Sequence, residues 1–526
     1  MKILVSDNLA EAGIQLLRNI PEFQVDVNTG LGSDALRRII GDYDALVIRS
    51  ATKATADIIE AAHNLKVIAR AGIGLDNVDI AAASKRGIVV MNAPEGNVIT
   101  TAEHAIALIL ALSRNIPQAS HSMKAGKWEK KRFQGHEVYN KTLGIIGIGR
   151  IGRIVAERAK GLQMNVIAYD PYINVDVLEE LGIEYAEFDE LLARSDYITV
   201  HTPLTKETRG ILNAEAFSKA KRGVYVINCA RGGIINEEDL HEAIKSGIVA
   251  GAALDVFSQE PPTGNPLIEL DQIIATPHLG ASTDEAQENV AIGVAEQVID
   301  YLIRGSIRNA VNAPNIDGTV LARLRSHLFL SEKLGMILPQ ITRGAIEEVN
   351  IEYIGDASQL DIRPLTLAIL KGMLTPILGD MVNFVNVPVL VKERNIRVKE
   401  SLRTEAEDFT NLISVQVKTP EEENLVAGTI FGKNEARMVR INDFRLEAAL
   451  EGHLLLIYNI DTPGTIGAIG TCLGRHRINI SKMNVGQVLE RGQNIIFLRT
   501  DTPVPNHVID ELLSMENVNV VQALEL

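Results

Sequence analysis

From Met1 to about Arg304 the chain alternates short apolar runs with stretches of helical period. KILVSD, ALVIRS, KVIARA and IVVMNA read as strands, separated by helix-like segments near Leu9–Arg18, Asp34–Ile40, Thr55–Ala62 and Asn77–Arg86. After the long helix pattern TTAEHAIALILALSR the alternation restarts through TLGIIGIG, NVIAYD, YITVHTP, VYVINCA, AGAALDV and IIATPHLG. Strands alternating with helices imply βαβ units, and their recurrence predicts two doubly wound parallel sheets. A second long helix pattern, Thr283 to Ile303, follows the last strand. The two long helices bracket the second sheet, which is therefore expected to be inserted into the first domain. Residues 1–97 and 282–310 then form one discontinuous domain, and residues 98–281 the other.

Beyond Val311 the pattern changes. VNAPNIDG reads as a linker, and residues 311–450 carry two helix patterns (LARLRSHLFLSEKLGMILPQI, IRPLTLAILKGML) among strand-like runs (EEVNIEYIGD, ISVQVKT, LVAGTIFG, RMVRIND, FRLEAAL). That is α+β material without βαβ alternation. Residues 451–526 read β-α-β-β-α-β, a ferredoxin-like unit.

Composition narrows the partners. The formal charge of −15 excludes a general polyanion binder, since non-specific nucleic-acid affinity needs a basic surface. Any anionic ligand must be held by a local group of Arg and Lys. The two cysteines, Cys229 and Cys472, lie in different segments and imply no disulfide framework, which suits a reducing compartment. The N-terminus has no targeting pattern, and the longest apolar run, around Ala105–Leu112, is too short to span a bilayer. A cytoplasmic protein is expected, with no nucleic-acid or membrane partner, and the motifs give no expectation of a metal.

Two constellations carry chemistry. In LGIIGIGRIG, Gly147, Gly149 and Gly152 form GxGxxG between a strand and a helix, and the next strand ends in Asp170. The glycines allow a tight turn, close approach of a pyrophosphate and helix–strand packing, while the acid suits an adenosine ribose. This is read as a dinucleotide site for NAD, because a 2′-phosphate would meet like charge. The second set sits at strand carboxyl ends, where ligands bind in open α/β sheets: Thr202, Pro203, Arg231, Asp255, Glu260 and His278. Arginine offers a planar fork to a carboxylate. Histidine exchanges a proton near neutral pH, and a carboxylate beside it stabilises the protonated ring. Taken singly, Glu260 is equally a loop acid, His278 a capping or core histidine, and Asp255 a helix-capping acid.

In GIGRIG…YDPY, NCARGG, DVFSQEPP and TPHLGAST the first 310 or so residues resemble the NAD-dependent D-2-hydroxyacid dehydrogenases. RSATKATADII, RAGIGLDNVDI, PEGN, IPQA and KWEKKRF, with the two C-terminal regions, are similar to the long-form D-3-phosphoglycerate dehydrogenases, which end in an intervening domain and an ACT domain. The resemblance implies that His278 is the acid/base, that Glu260 orients it, and that Arg231 holds the substrate carboxylate. It implies NAD contacts from Arg150, Ile151, Asp170, Thr202, Cys229, Ala230 and Asp255, the last facing the nicotinamide carboxamide, with Gly280 and Ala281 completing the pocket. A phosphorylated acid such as 3-phosphoglycerate needs further positive charge. Arg49 and Arg70, which end neighbouring strands, are candidates, with Gly72, Gly74 and Asn97 beside them; solvated strand-end arginines are the plainer reading.

Lys130, Lys131 and Arg132 form either a basic group reaching a neighbouring subunit or a solvated charge run. His104 is read as a packed or interface histidine, and Trp128 as a packing anchor at the same boundary. IYNIDTPGTIGAIG and HRINISKMNVG resemble the ACT domain, which implies an L-serine effector between paired subunits at Asn459, Asp461, Gly464 and Asn479. A dimerisation module without ligand is the alternative. An anion site at Arg394 or Arg397 is a further possibility in the intervening region, otherwise read as a packed spacer. A homo-oligomer, a tetramer, is implied. Rival functions are glyoxylate or hydroxypyruvate reduction, and an NAD-sensing scaffold or corepressor on the same fold.

Overall fold

In the computed structural model of the protein, which describes all residues except 95, 316–317, 406–407, 433 and 489–492, the first β-branched runs pair in parallel. Glu95 of PEGN and two residues of the expected 311–318 linker thus lie outside the described residues. The first sheet has the order Gln24–Val27, Lys2–Val5, Ala45–Ile48, Val67–Arg70, Val89–Asn92, all parallel. Its edge strand Gln24–Val27 escaped the pattern because QVDV buries little. The helix expected from Asn77 runs only over Ile80–Lys85, because the Asp79 side chain caps it by accepting from Ala82 N.

The second sheet runs Ile273–Ala275, Val249–Leu254, Val224–Asn228, Tyr197–Val200, Thr142–Ile146, Asn165–Tyr169, Glu184–Tyr185. The chain order reverses between Tyr197–Val200 and Thr142–Ile146, which opens a crevice at their carboxyl ends. Helix Asp284–Arg304 packs on the first sheet, not the second. Its Val290, Ala291, Val294, Ala295 and Val298 share a core with Ile3, Val5, Val47 and Val67. Gly13 lets helix Glu11–Arg18 touch it, since a Cβ there would lie 2.6 Å from the Ala291 carbonyl oxygen. The two long helices Val98–Ser113 and Asp284–Arg304 are thus the connections between the sheets.

The third region is a six-stranded mixed sheet, Arg397–Arg403, Glu348–Gly355, Asn411–Lys418, Glu423–Phe431, Glu435–Ile441, Phe444–Ala449, in which the first pair is parallel and the others antiparallel. Helices Gly318–Ile341 and Ile362–Leu378 cross with their backbones in contact. A Cβ on Gly335 would strike the Ile369 carbonyl, and one on Gly372 the Glu332 carbonyl. Strand Arg397–Arg403 is a polar edge that the pattern missed. Arg397 Nε lies 3.5 Å from Glu348 Oε2, and Arg394 Nη1 donates to the Leu390 carbonyl at 3.4 Å.

The last sheet, Ile480–Val488, Gln493–Thr500, His453–Ile460, Val518–Leu524, is antiparallel and carries helices Thr465–Arg475 and Asn506–Leu513, as the βαββαβ reading requires. Side chains alternate between faces along a strand. Leu455, Ile457, Ile496 and Leu498 meet those helices. Leu454, Leu456, Ile495 and Phe497 enter one core with Leu330, Leu334 and Leu338 of helix Gly318–Ile341. The regulatory-type unit is fused to the third region through this shared core. Among the described residues no helix is long and apolar enough to cross a membrane.

The Gly335/Gly372 crossing gives the first prediction. Gly372→Leu should destabilise the C-terminal half by roughly 1–3 kcal/mol through overpacking. A lower denaturation midpoint for that half, with NAD binding retained, is the expected result.

Candidate active site

The GxGxxG turn fits a dinucleotide. Gly147 has φ 90°, and a Cβ there would lie 2.6 Å from Thr202 Cγ2. A Cβ on Gly152 would strike the Gly147 carbonyl, whereas nothing lies within 4 Å of a Cβ on Gly149, the residue preceding helix Arg150–Gly161. The turn is therefore closed where the helix packs and open where phosphates approach the helix N-terminus, at Arg150 and Ile151. Asp170 closes the turn from behind, its Oδ2 accepting from Ile148 N at 3.0 Å and its Oδ1 from Tyr172 N at 3.0 Å. Thr202 Oγ1 is buried without a hydrogen-bond partner in the chain. Burial, then Asp255, pushes the Cys229 thiol up, so it stays protonated as a small packing group near Ala230.

His278 and Glu260 do meet. His278 Nδ1 donates to Glu260 Oε2 at 2.8 Å, while Glu260 Oε1 accepts from Phe257 N at 3.1 Å. Glu260 is thereby fixed at both oxygens and is no ordinary loop acid. With Nδ1 engaged, Nε2 is the ring nitrogen left for proton exchange. His278 holds φ 56°, a left-handed conformation that side chains seldom adopt, and its amide donates to the Asp255 and Thr276 carbonyls, each at 3.0 Å. Both residues line a cavity of about 400 Å³ with Asp255, Phe257, Thr276 and Pro277.

Asp255, expected to face the nicotinamide, lines the same cavity and also holds this loop. It is 1% exposed. Its Oδ1 accepts from Thr276 Oγ1 at 2.6 Å and Leu279 N at 2.7 Å and lies 3.3 Å from His104 Nε2, and its Oδ2 accepts from Gly280 N at 2.8 Å. Three of these donors gather on Oδ1, while Oδ2 accepts only from Gly280 N and keeps a second acceptor site. Burial pushes this carboxyl up, but the bonds from His104, Thr276, Leu279 and Gly280 outweigh it and hold it below its usual range. His104, read from sequence as a packed or interface residue, joins this network from helix Val98–Ser113. Thr101, one turn earlier, donates to the Gly280 carbonyl at 3.0 Å.

The arginines converge as well. Arg231 Nη1 donates to the Ala230 carbonyl at 2.7 Å, and its Nε lies 3.3 Å from Asp76 Oδ2. The Asn228 side chain bridges this turn, donating to the Arg231 carbonyl and accepting from Ala230 N, each at 2.9 Å. A Cβ on Gly74 would collide with the Arg231 guanidinium, and one on Gly232 with the Phe257 carbonyl. Glycine at these two positions lets Arg231 stand beside the loop that anchors Glu260. Arg70 Nε and Nη1 are buried without partners, and burial, then Arg231, pushes its pKa down. Arg70 is therefore short of acceptors beside a second guanidinium group, that of Arg231. Gly72 packs near Arg70, a Cβ there lying 3.7 Å from Nε. Arg49, Gly72, Asn97 and Ala281 line one small pocket, and Asn97 Oδ1 is buried without a partner. Asp7 fixes the Arg49 turn, accepting from Arg49 N at 2.6 Å. Asp76 and Asn228 were missed in the sequence although both fall inside the quoted motifs.

Other expected residues do not converge. Trp128 is 80% exposed, so it anchors no packing within the chain. Arg132 pairs locally, 3.1 Å from Asp271, and Lys130 and Lys131 are exposed. In the last sheet Asn459, Asp461 and Gly464 cluster where strand His453–Ile460 ends. Asn479 lies at the opposite end, beside the Ile480–Thr500–His453 register, and donates to Asp501 Oδ2 at 2.8 Å. A strand of this length separates the two places by roughly 25 Å.

Comparison with known proteins agrees with this geometry. Residues 106–280 match the NAD-binding domain of the D-isomer specific 2-hydroxyacid dehydrogenases, residues 323–442 the D-3-phosphoglycerate dehydrogenase intervening domain, and residues 453–517 the ACT domain. A D-lactate dehydrogenase from Aquifex aeolicus, solved with NAD and lactic acid, superposes with TM-score 0.54 at 28% identity, over 60% of this chain and 100% of its own. Fold and site together define an NAD-dependent oxidoreductase of the D-2-hydroxyacid dehydrogenase class. The D-3-phosphoglycerate dehydrogenases of Archaeoglobus fulgidus and Bacillus subtilis are 44% and 40% identical to it, each over 100% of this chain and 100% and 99% of their own. The chain belongs to the D-3-phosphoglycerate dehydrogenase family.

His201, one residue before Thr202, supplies a pH prediction. Burial pushes its pKa from 6.5 down to about 4. Between those values the unfolded chain binds a proton that the folded chain does not, so stability falls as pH falls. The loss is about 1.4 kcal/mol per pH unit, about 3 kcal/mol in all. His201→Gln should flatten that window in denaturation curves measured from pH 7 to pH 4.

Proposed function

We propose that the protein oxidises 3-phospho-D-glycerate to 3-phosphohydroxypyruvate with NAD, the opening step of phosphorylated serine biosynthesis. The observation that carries this reading is Arg70, whose buried Nε and Nη1 have no acceptor near the Arg231 guanidinium, together with the His278–Glu260 couple. Arg231 binds the substrate carboxylate and polarises the C2 oxygen, displacing Asp76. Arg70 and Arg49 supply charge to the other anionic end. His278 Nε2 removes the hydroxyl proton, and Glu260 stabilises the imidazolium as it forms. NAD, held at the Gly147–Gly152 turn, would supply the hydride acceptor for C2. Asp255 and Thr101 keep the His278 loop in place while the two sheets close on the ligand.

Steady-state assays of NAD reduction test this. His278→Ala should lower kcat by roughly 10²–10⁴-fold. Arg70→Ala should raise KM for 3-phosphoglycerate by roughly 10–100-fold, the worth of a charged hydrogen bond. 3-Phosphoglycerate should far exceed glycerate in kcat/KM. Equal use of the two, or normal turnover by His278→Ala, would overturn the reading.

Regulation by L-serine is part of the same proposal. Asn459 Oδ1 is buried without a partner, Asp461 is exposed, and Gly464 opens helix Thr465–Arg475 at φ 96°. These offer the donors and acceptors a small amino acid needs. Asn479 joins such a site only when a second copy brings its own across, which fits a paired subunit and a tetramer. Ile116, Met123, Trp128 and Tyr139 are exposed close together in sequence and suit a subunit contact. A route to the substrate sheet runs through the shared core to Asn383, whose Nδ2 donates to the Gly87 carbonyl at 3.0 Å, and to the Lys85–Glu393 pair at 3.4 Å. Serine should lower initial rates of the full chain. Asp461→Ala should weaken that effect at least tenfold, and a chain ending at Asn309 should be insensitive.

A further inference from the structure

The two helices of the ACT unit carry a pairing that neither oxidation chemistry nor amino-acid binding uses. Helix Thr465–Arg475, with the residue following it, bears Cys472 and His476 at i and i+4, and helix Asn506–Leu513 bears His507 and Glu511 at the same spacing. Residues four apart share one helix face, so each helix presents two donors to the other. Cys472, His476 and Glu511 each offer a ligand atom, all within 4.8 Å of one another. The rings of His476 and His507 have centroids 5.3 Å apart. We propose that these four residues form a binding site for a zinc-like divalent transition metal that clamps the two helices together.

The donor set, one sulfur, two imidazoles and one carboxylate, is the kind zinc takes in tetrahedral sites. Tetrahedral bonds of about 2.0–2.3 Å place ligands roughly 3.3–3.8 Å apart, so shifts on the order of 1 Å suffice for Cys472, His476 and Glu511, and His507, outside that cluster, joins by turning its exposed ring inward. Glu511 is already arranged for this. Its Oε2 meets His476 Nε2 at 2.7 Å, and its Oε1 accepts from Arg475 Nη2 at 2.8 Å. When Oε2 turns to the metal, Arg475 keeps Oε1 and orients the carboxylate from outside the coordination sphere. Arg475 is also the competing charge, but its side chain is 63% exposed and free to move outward. Cys472 is fully buried at the base of the cluster, with His507 exposed at its rim. On binding, the Cys472 S–H bond breaks, sulfur bonds the metal and the proton passes to solvent. A surface ion-pair cluster accounts for Arg475, His476 and Glu511 alone. It gives no reason for two matched i, i+4 donor pairs on facing helices with a thiol between them.

The test is titration of the metal-free, untagged full-length protein with cobalt(II). One equivalent per chain should produce tetrahedral cobalt bands with a thiolate charge-transfer band, and zinc should displace it. Cys472→Ser should abolish the charge-transfer band. Glu511→Gln, at a partly exposed position that does not threaten folding, should weaken zinc binding at least tenfold, as should His507→Asn. Zinc should also raise the melting temperature of the parent protein and not that of Glu511→Gln. Absence of the charge-transfer band overturns the proposal, and so does its survival in Cys472→Ser, which would assign it to Cys229. Unchanged zinc affinity in Glu511→Gln overturns it as well.

Discussion

A single buried carboxylate, Asp255, ties the His278 loop to the helix that joins the two sheets. It ends a central strand of the nucleotide sheet, yet its four bonds reach the turn after His278 and, through His104, the helix that joins the sheets. Removing a partner from a buried hydrogen-bonded charge costs several kcal/mol, so this junction is stiff. Stiffness matters because His278 sits in a backbone conformation that it would leave if unsupported. The position of His278 is therefore set from behind, through the turn that Asp255 holds.

Against that fixed nucleotide-side wall stands a substrate-side wall built from strand ends of the first sheet. Arg70 and Arg231 come from different sheets, and their proximity depends on Gly74, which leaves room for the Arg231 guanidinium. Arg70, with unpartnered donors beside a like charge, raises the free energy of the cleft. Asp76 partly offsets the charge, and its exposed carboxylate is readily displaced. Positive charge is thus concentrated in the cleft although the protein as a whole carries a formal charge of −15.

Much of this was legible in the sequence because it depends on residue size and strand termination. GxGxxG could be read because only glycine fits the Gly147–Gly152 contact, and His278 and Glu260 because ligands gather at strand carboxyl ends. The misreadings have a common physical cause. A sequence shows that an acid ends a strand but not how many donors converge on it, so the network around Asp255 is not legible there. Asp76 lies in a glycine-rich turn with no periodicity to mark it. Strands Gln24–Val27 and Arg397–Arg403 are polar edges that bury little. Asn479 follows a helix that runs back along its sheet, and so falls at the far end from Asn459. The fusion of the ACT sheet with the third region was hidden as well, because strands apolar on both faces do not reveal which neighbour covers each face.

The most direct test of the central claim uses 3-phospho-D-glycerate carrying deuterium at C2. The account predicts that the deuterium appears on the reduced nicotinamide, that turnover slows with the label when chemistry limits the rate, and that Arg231→Ala suppresses the transfer. Deuterium released to solvent, or none transferred while product forms, would contradict it.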